Sequence, residues 1–142
     1  MKRLFLTLVC AFFAATGLHA VPDGEVAARR TALDIAGAFT NDGFKLRDGN
    51  WSGSFAPGKP GIVQVNLYAG NQYWFTLGAT SPAKKVHVTI YDETGKPVKT
   101  DEYQDTSVAA AGFSPDNSGT FYVEVEIVEG AAADFCLVYS YK

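Results

Sequence analysis

The sequence predicts an all-β protein, an antiparallel β-sandwich preceded by a signal peptide and one short helix. From residue 44 onward, about six to eight short segments place apolar side chains at every second position. Clusters of glycine, proline, asparagine and aspartate separate these segments and are typical of turns. Strands of this kind bury one face each, so two sheets that share a core form the stable arrangement.

The first part of the chain, residues 1–20, has the layout of a secretory signal peptide. Lys2 and Arg3 precede an uncharged apolar run that ends at Leu18, and polar sequence begins after Ala20. The run is shorter than the roughly 20 apolar residues that a membrane-spanning helix needs. We expect cleavage near Ala20, a secreted or periplasmic mature protein, and no stable membrane insertion after cleavage; an uncleaved anchor is the alternative.

Residues 21–43 form the N-terminal helical segment of the prediction. The segment is rich in alanine, and Ala28, Ala32, Ile35 and Phe39 fall on one stripe at helical spacing. The sequence NDG at its end supplies residues that accept the left-handed conformation of a helix stop. We expect a short helix that packs against an edge or an end of the sandwich.

Residues 44–142 form the predicted β-sandwich domain. Its clearest strands lie in segments of alternating pattern: residues 62–68, 72–77, 86–91, 118–127 and 135–141. In the segment SGTFYVEVEI, Phe121 and Val123 share the apolar side with the next valine and isoleucine, whereas Tyr122 lies opposite with two glutamates. This alternation predicts one face in the core and one face toward solvent or a partner.

Net charge and cysteine content exclude several classes of protein. Cleavage removes Lys2 and Arg3, so the basic residues fall from 12 to 10 against 15 acidic residues and the net charge falls from −3 to −5. An acidic chain without a basic cluster is a poor ligand for nucleic acid or for an anionic membrane surface. Cys10 lies in the apolar run, which leaves Cys136 alone in the mature chain and without a partner for an internal disulfide.

Catalytic motifs are absent from the sequence. His87 is the one histidine of the mature chain, and it falls on the outward side of its strand. Neither a GxSxG nucleophile motif nor an HExxH metal motif occurs. A pair of His87 with Cys136 would supply a base and a nucleophile, but no motif supports it. We predict that the protein is not an enzyme and has no catalytic residue, with a small hydrolase that uses His87 as the alternative.

Acidic residues cluster at two places in the predicted β-sandwich domain. Asp92 lies in the sequence DETG, and Asp101 and Asp105 lie in the sequence DEYQD. Calcium binds about six to eight oxygens, which several converging carboxylates supply, so these three aspartates are the candidate metal ligands. DETG also suits an ordinary turn, in which aspartate accepts backbone hydrogen bonds. We expect no cofactor, with a weak calcium site as the alternative.

Aromatic residues on the outward side of strands are the candidate binding residues. Trp74, Tyr91 and Tyr122 are out of phase with the core-facing positions of their strands, and Trp51 and Tyr68 fit neither side clearly. Outward aromatic rings on a flat sheet can stack on sugar rings or anchor a protein partner. The same residues would suit a sheet surface beneath a packed helix, which is the alternative.

Four segments together resemble a known family. The sequences GNQYWFTLGA, VHVTIYDETGKPV, SGTFYVEVEI and FCLVYSYK occur in this order. They are similar to strands of the bacterial pre-peptidase C-terminal domain, a small jelly-roll-like β-sandwich, over about residues 49–142. The resemblance implies an extracellular accessory role beside secreted peptidases and other exported enzymes, without catalysis. In some relatives an acidic turn binds calcium, and Asp92 is the nearest match to that turn here.

These observations predict a non-catalytic exported β-sandwich module. Its partner would be a protein or a glycan, contacted in the periplasm or outside the cell. A calcium-stabilised structural module is the first alternative, and a small hydrolase is the second.

Overall fold

The protein folds as two antiparallel β-sheets packed face to face, with one helix outside them. The structure is a computed structural model that describes residues 22–142. The predicted signal peptide and its cleavage site lie outside the described residues. Over the described range, the predicted antiparallel sandwich with an N-terminal helix is confirmed.

Helix α1 spans Asp23–Thr40, and nine strands follow it within the described residues. In chain order the strands are β1 (Lys45–Leu46), β2 (Trp51–Phe55), β3 (Gly61–Leu67), β4 (Tyr73–Ala79), β5 (Ala83–Tyr91), β6 (Asp101–Asp105), β7 (Val108–Phe113), β8 (Gly119–Gly130) and β9 (Ala133–Tyr141). Each of the segments with the clearest alternation in the sequence forms a strand. The weaker pattern after residue 97 holds β6 and β7.

The larger sheet has six strands in the order β1-β9-β4-β7-β6, and β2 pairs with β9 beside β1. The smaller sheet has three strands in the order β3-β8-β5. Strand β8 pairs antiparallel with both of its neighbours, so it is the centre of the smaller sheet. This order leaves β3 at one edge of the smaller sheet.

The alternation along β8 decides which of its faces enters the core. Phe121, Val123, Val125 and Ile127 are buried between the sheets, as their pattern predicts. Phe75 of β4 belongs to the same cluster from the opposite sheet and is fully buried. Each large apolar side chain that leaves water here contributes about 1.5–3 kcal/mol. Apolar burial therefore holds the two sheets together.

Helix α1 buries the two alanines of the predicted stripe but not its two larger residues. Ala28, Ala32 and Ala36 are its buried residues, whereas Ile35 and Phe39 are only half-buried. Alanines four residues apart lie on one face of a helix. Because these side chains are small, the helix backbone approaches β4 and β9 of the larger sheet closely. The helix thus covers the outer face of that sheet instead of its edge.

Thr76 lies between the helix and the larger sheet. Alternate residues of a strand face opposite sides, and Phe75 and Leu77 point into the core, so Thr76 points toward α1. Its side chain is fully buried, and its Oγ1 has no hydrogen-bond partner among residues 22–142. A buried hydroxyl without a partner costs about 1–3 kcal/mol of stability, because the group has lost its bonds to water.

Thr76→Val replaces this hydroxyl with a methyl group of similar size, and we expect the free energy of unfolding to rise by about 1 kcal/mol. Urea denaturation followed by tryptophan fluorescence measures the change. Thr89→Val is the matched control and should not stabilise the protein, because the Thr89 hydroxyl lies 3.1 Å from Nδ1 of His87. A loss of stability in Thr76→Val would contradict the prediction.

Candidate functional site

Helix α1 covers Trp74, one of the three candidate binding aromatics. The rings of Phe39 and Trp74 stack with their centroids 4.5 Å apart and their planes at 11°. The indole also lies against Gly112, where an added Cβ would come within 2.8 Å of the ring. Trp74 therefore belongs to the contact between helix and sheet, which was the alternative to a recognition role.

Tyr91 and Tyr122 lie side by side on the other sheet. They are directly opposite each other in the pairing of β5 with β8, and Gln64 of β3 lies opposite Tyr122 on its other side. Residues opposite each other in antiparallel strands have Cβ atoms about 5 Å apart. The three side chains therefore form a row across the outer face of the smaller sheet, and Trp74 is not part of it.

We call this surface the tyrosine face and define it by Gln64, Thr89, Tyr91, Tyr122 and Glu124. All five side chains are half-buried or exposed, and helix α1 packs on the other sheet. The hydroxyl of Tyr91 donates a hydrogen bond to Oε1 of Glu124 at 3.3 Å. Burial, and then the charge of Glu124, raises the pKa of Tyr91, so its hydroxyl stays protonated at neutral pH.

His87 links the edges of the two sheets. Its Nε2 lies 3.3 Å from Oε1 of Glu102 on β6, and its Nδ1 lies 3.7 Å from Oε1 of Glu126 on β8. Nearby, the side chain of Gln104 donates a hydrogen bond to the main-chain carbonyl of Val86. The two carboxylates occupy opposite sides of the imidazole, so they cannot share one cation with it. These contacts tie β6 of the larger sheet to β5 of the smaller one.

Cys136 is fully buried beneath α1, in the cluster that the helix forms with β9. His87 lies on the outer face of the other sheet, opposite Glu126. The sequence left open a pair of these two residues, and the fold does not form it. Burial raises the pKa of the Cys136 thiol, so the side chain behaves as a small apolar group.

The three acidic candidates do not converge on one point. Asp101 and Asp105 are the first and last residues of β6, and four strand steps separate them by about 13 Å. Oδ1 of Asp92 accepts three hydrogen bonds inside its own turn, from Thr94 N at 2.9 Å, Thr94 Oγ1 at 2.6 Å and Lys96 N at 3.1 Å. Between residues 22 and 142, no group of three histidine, cysteine or acidic side chains could hold a metal ion.

An open groove of about 680 Å³ lies beside this turn, at one end of the sandwich. Asp92, Asp101 and Asp116 line it together with Phe113 and Phe121, whose rings form an edge-to-face pair with centroids 5.2 Å apart. The groove brings two of the predicted metal ligands to one surface. It does not gather their oxygens around a common point.

Asp92→Ala tests the role of this carboxylate in its turn. Hydrogen bonds from Thr94 and from Lys96 lower the pKa of Asp92. Because the folded-state pKa is depressed, the ionised group stabilises the fold above the unfolded-state pKa of about 4, and this contribution is lost as the pH falls through the folded-state pKa. We expect Asp92→Ala to lower the free energy of unfolding at neutral pH and to weaken the further decline in acid.

Urea denaturation of Asp92→Ala and the unmodified protein at neutral and at acid pH measures both effects. Asp48→Ala is the control, because Asp48 is an exposed aspartate in a different loop. The same pH-dependent loss in the control, or no loss at neutral pH in Asp92→Ala, would contradict the assigned role.

Sequence reasoning did not select Gln64 or Glu102 as candidates. Gln64 completes the row of the tyrosine face, and Glu102 reaches His87 from the other sheet. The signal of Gln64 in the sequence is a polar residue at an outward position, and that of Glu102 is its place in the acidic sequence DEYQD. Which partner each one meets depends on strand order, and no local pattern contains that information.

No helix within the described part of the chain is long and apolar enough to cross a membrane. No protein-family model matches the sequence, and no curated protein matches it either.

Proposed function

We propose that this protein is an exported, non-catalytic module that contacts a protein or a glycan in the periplasm or outside the cell. The tyrosine face is its contact surface. The observation that supports this proposal is the row of Gln64, Tyr122 and Tyr91 on the outer face of a sheet that α1 leaves uncovered.

The chemistry of the tyrosine face suits recognition. A tyrosine ring offers a large rigid contact area and a hydroxyl that both donates and accepts hydrogen bonds. Two such rings, an amide and a carboxylate on one surface can meet the apolar side and the hydroxyl groups of a sugar. They can equally anchor a protein partner, because tyrosine is enriched among the residues that dominate binding energy.

Two features of the sequence support the proposed location outside the cytoplasm and the proposed accessory role. The layout of residues 1–20 supports export. The resemblance of residues 49–142 to the pre-peptidase C-terminal domain supports an accessory role beside an exported enzyme. Cell fractionation and N-terminal sequencing of the exported chain test whether the protein is exported and cleaved. An uncleaved N-terminus on a cytoplasmic chain would contradict this part of the proposal.

Tyr122→Ala tests the contact surface. Tyr122 lies on the central strand of the smaller sheet, between Gln64 and Tyr91, so its loss opens the middle of the row. An anchoring aromatic contributes about 2 kcal/mol or more to binding, so we expect the affinity for a ligand to fall at least about tenfold. A glycan array and binding assays with purified exported proteins supply the ligands and identify the partner class.

Tyr103→Ala is the matched control for this experiment. Tyr103 lies on β6 of the other sheet and is 43% exposed, so its removal deletes a surface tyrosine away from the tyrosine face. We expect this variant to bind as the unmodified protein does. Equal binding by Tyr122→Ala and the unmodified protein, or the lack of any glycan or protein ligand, would contradict the proposal.

A further inference from the structure

A second concave site lies where the edge strand β3 faces the larger sheet. We call it the β3 cleft, and it has a volume of about 320 Å³, at the low end of the range for small-ligand pockets. The larger sheet contributes Arg47, Trp51 and Tyr139 to its lining, and the smaller sheet contributes residues that include Gln64 and Tyr68. This size suits one small ligand or one unit of a chain.

Arg47 is the charged residue of the cleft lining. Within residues 22–142 the close contacts between basic and acidic side chains are those of His87, so Arg47 has no carboxylate partner in that range. The guanidinium lies over the ring of Tyr139, with Cζ 5.1 Å from the centroid. This contact uses the face of the guanidinium and leaves its planar N–H donors able to bind a carboxylate through two parallel bonds.

Aromatic rings and amides surround this cation. Trp51 stacks on Tyr139 with ring centroids 5.9 Å apart, and Tyr68 is 62% exposed at the rim. Oδ1 of Asn66 accepts a bond from Thr120 at 3.3 Å, which leaves its amide N–H groups for a ligand. A guanidinium, exposed aromatic surface and amide donors form the set of groups that a sugar with a carboxylate requires.

We propose that the β3 cleft binds a carboxylate-bearing sugar residue, such as a uronic acid. The carboxylate pairs with the guanidinium of Arg47, the ring lies against Tyr68 and Trp51, and Asn66 donates to a ring hydroxyl. This site does not depend on the proposed function of the tyrosine face. Gln64 belongs to both surfaces, so one glycan chain has a continuous path across them.

Nuclear magnetic resonance titration of the isotopically labelled protein tests this site with three probes. D-Glucuronic acid is the acidic sugar, D-glucose is its neutral counterpart, and N-acetylglycine carries a carboxylate without a sugar ring. We expect glucuronate to shift the amide signals of Arg47, Gln64 and Asn66. The neutral sugar and N-acetylglycine should each bind at least about tenfold more weakly than glucuronate, because the first lacks the carboxylate and the second lacks the sugar ring.

Variants of residues that line the cleft separate the contribution of the Arg47 charge to glucuronate binding from those of the planar guanidinium and of the Tyr68 ring. Arg47→Met should weaken glucuronate binding at least about tenfold, and Arg47→Lys should fall between it and the unmodified protein because lysine keeps the charge but not the planar fork. Tyr68→Ala removes an exposed ring and should also weaken binding without affecting the fold. Arg30→Met, on the exposed side of α1, is the matched control and should change nothing.

Four results would overturn the inference. Glucose matches glucuronate only if the cleft does not recognise the carboxylate, so equal affinities of the two sugars reject the site. If N-acetylglycine binds as tightly as glucuronate, the cleft recognises carboxylates in general, and the proposal of a sugar ligand is wrong. Unchanged binding in Arg47→Met, or an equal loss in Arg30→Met, removes Arg47 from recognition. Tyr91→Ala should leave glucuronate binding intact, which separates this test from that of the tyrosine face.

Discussion

Replacing Gly78 with alanine is expected to lower the free energy of unfolding by about 3 kcal/mol and to lift α1 from the larger sheet. A Cβ at this position would lie 2.4 Å from the main-chain oxygen of Ala28 and 2.6 Å from the nitrogen of Ala32. Both are backbone atoms, so no rotation of a side chain relieves the overlap. The helix must move as a unit, and the apolar contacts beneath it are lost.

Cys136 reports this displacement directly. It lies opposite Gly78 in the pairing of β4 with β9 and is fully buried beneath the helix. We expect a thiol reagent to label Cys136 much faster in Gly78→Ala than in the unmodified protein, with peptide mapping to locate the label. Urea denaturation gives the accompanying change in the free energy of unfolding.

Gly37→Ala is the matched control for this substitution. Gly37 lies within α1, and an added Cβ there would meet no atom within 4 Å. Alanine stabilises the interior of a helix relative to glycine by about 0.5–1 kcal/mol, so this variant should gain stability. Equal stability of the two variants, or continued protection of Cys136 in Gly78→Ala, would show that the close approach of helix and sheet is not required.

Phe75→Ala is expected to remove about 3–5 kcal/mol of stability, a large part of the 5–15 kcal/mol typical of a domain. Phe75 is fully buried at the centre of the sandwich, and its ring centroid lies 5.0 Å from that of Tyr139 and 6.4 Å from that of Tyr73. Truncation leaves a cavity that two opposed sheets cannot close without breaking their own hydrogen bonds. Chemical denaturation measures the loss.

We expect Phe75→Ala also to change the geometry of the β3 cleft, because Tyr139 contacts both Trp51 and Arg47 there. Phe75→Leu keeps more of the volume and should cost less, which makes it the variant in which the cleft can still be titrated. Tyr103→Ala, an exposed truncation on β6, should change stability by no more than about 0.5 kcal/mol. A Phe75→Ala variant as stable as this control would contradict the central position of the ring.

The strands were predictable because their signal is local. On β8 the residues Phe121, Val123, Val125 and Ile127 lie two positions apart and all four are buried, whereas the adjacent Val128 is 47% exposed. The helix was predictable for a similar reason, but its buried face was predictable only in part. Ile35 and Phe39 are larger and more apolar than Ala36, yet the sheet beneath accepts a line of alanines, because Gly78 allows backbone contact there.

The candidate site was predictable only in part. Trp74, Tyr91 and Tyr122 were all correctly outward from the core, but they lie on two different sheets. On the larger sheet, Trp74 therefore lies beneath the helix, whereas on the smaller sheet Tyr91 and Tyr122 remain uncovered. The sequence indicated two acidic clusters, whereas the separation of their aspartates follows from the length of β6 and from the turn that Asp92 closes.

By itself, the amino-acid sequence determined that extended segments with one apolar side would pair and stack around a core, with one helix ahead of them. That information lies in neighbouring residues and needs no knowledge of the rest of the chain. Only the tertiary structure decided which sheet the helix covers, which tyrosines remain uncovered and which residues surround Arg47. These outcomes depend on strand order and on the fit of residues far apart in the chain, because packing between surfaces selects among arrangements that are locally equivalent.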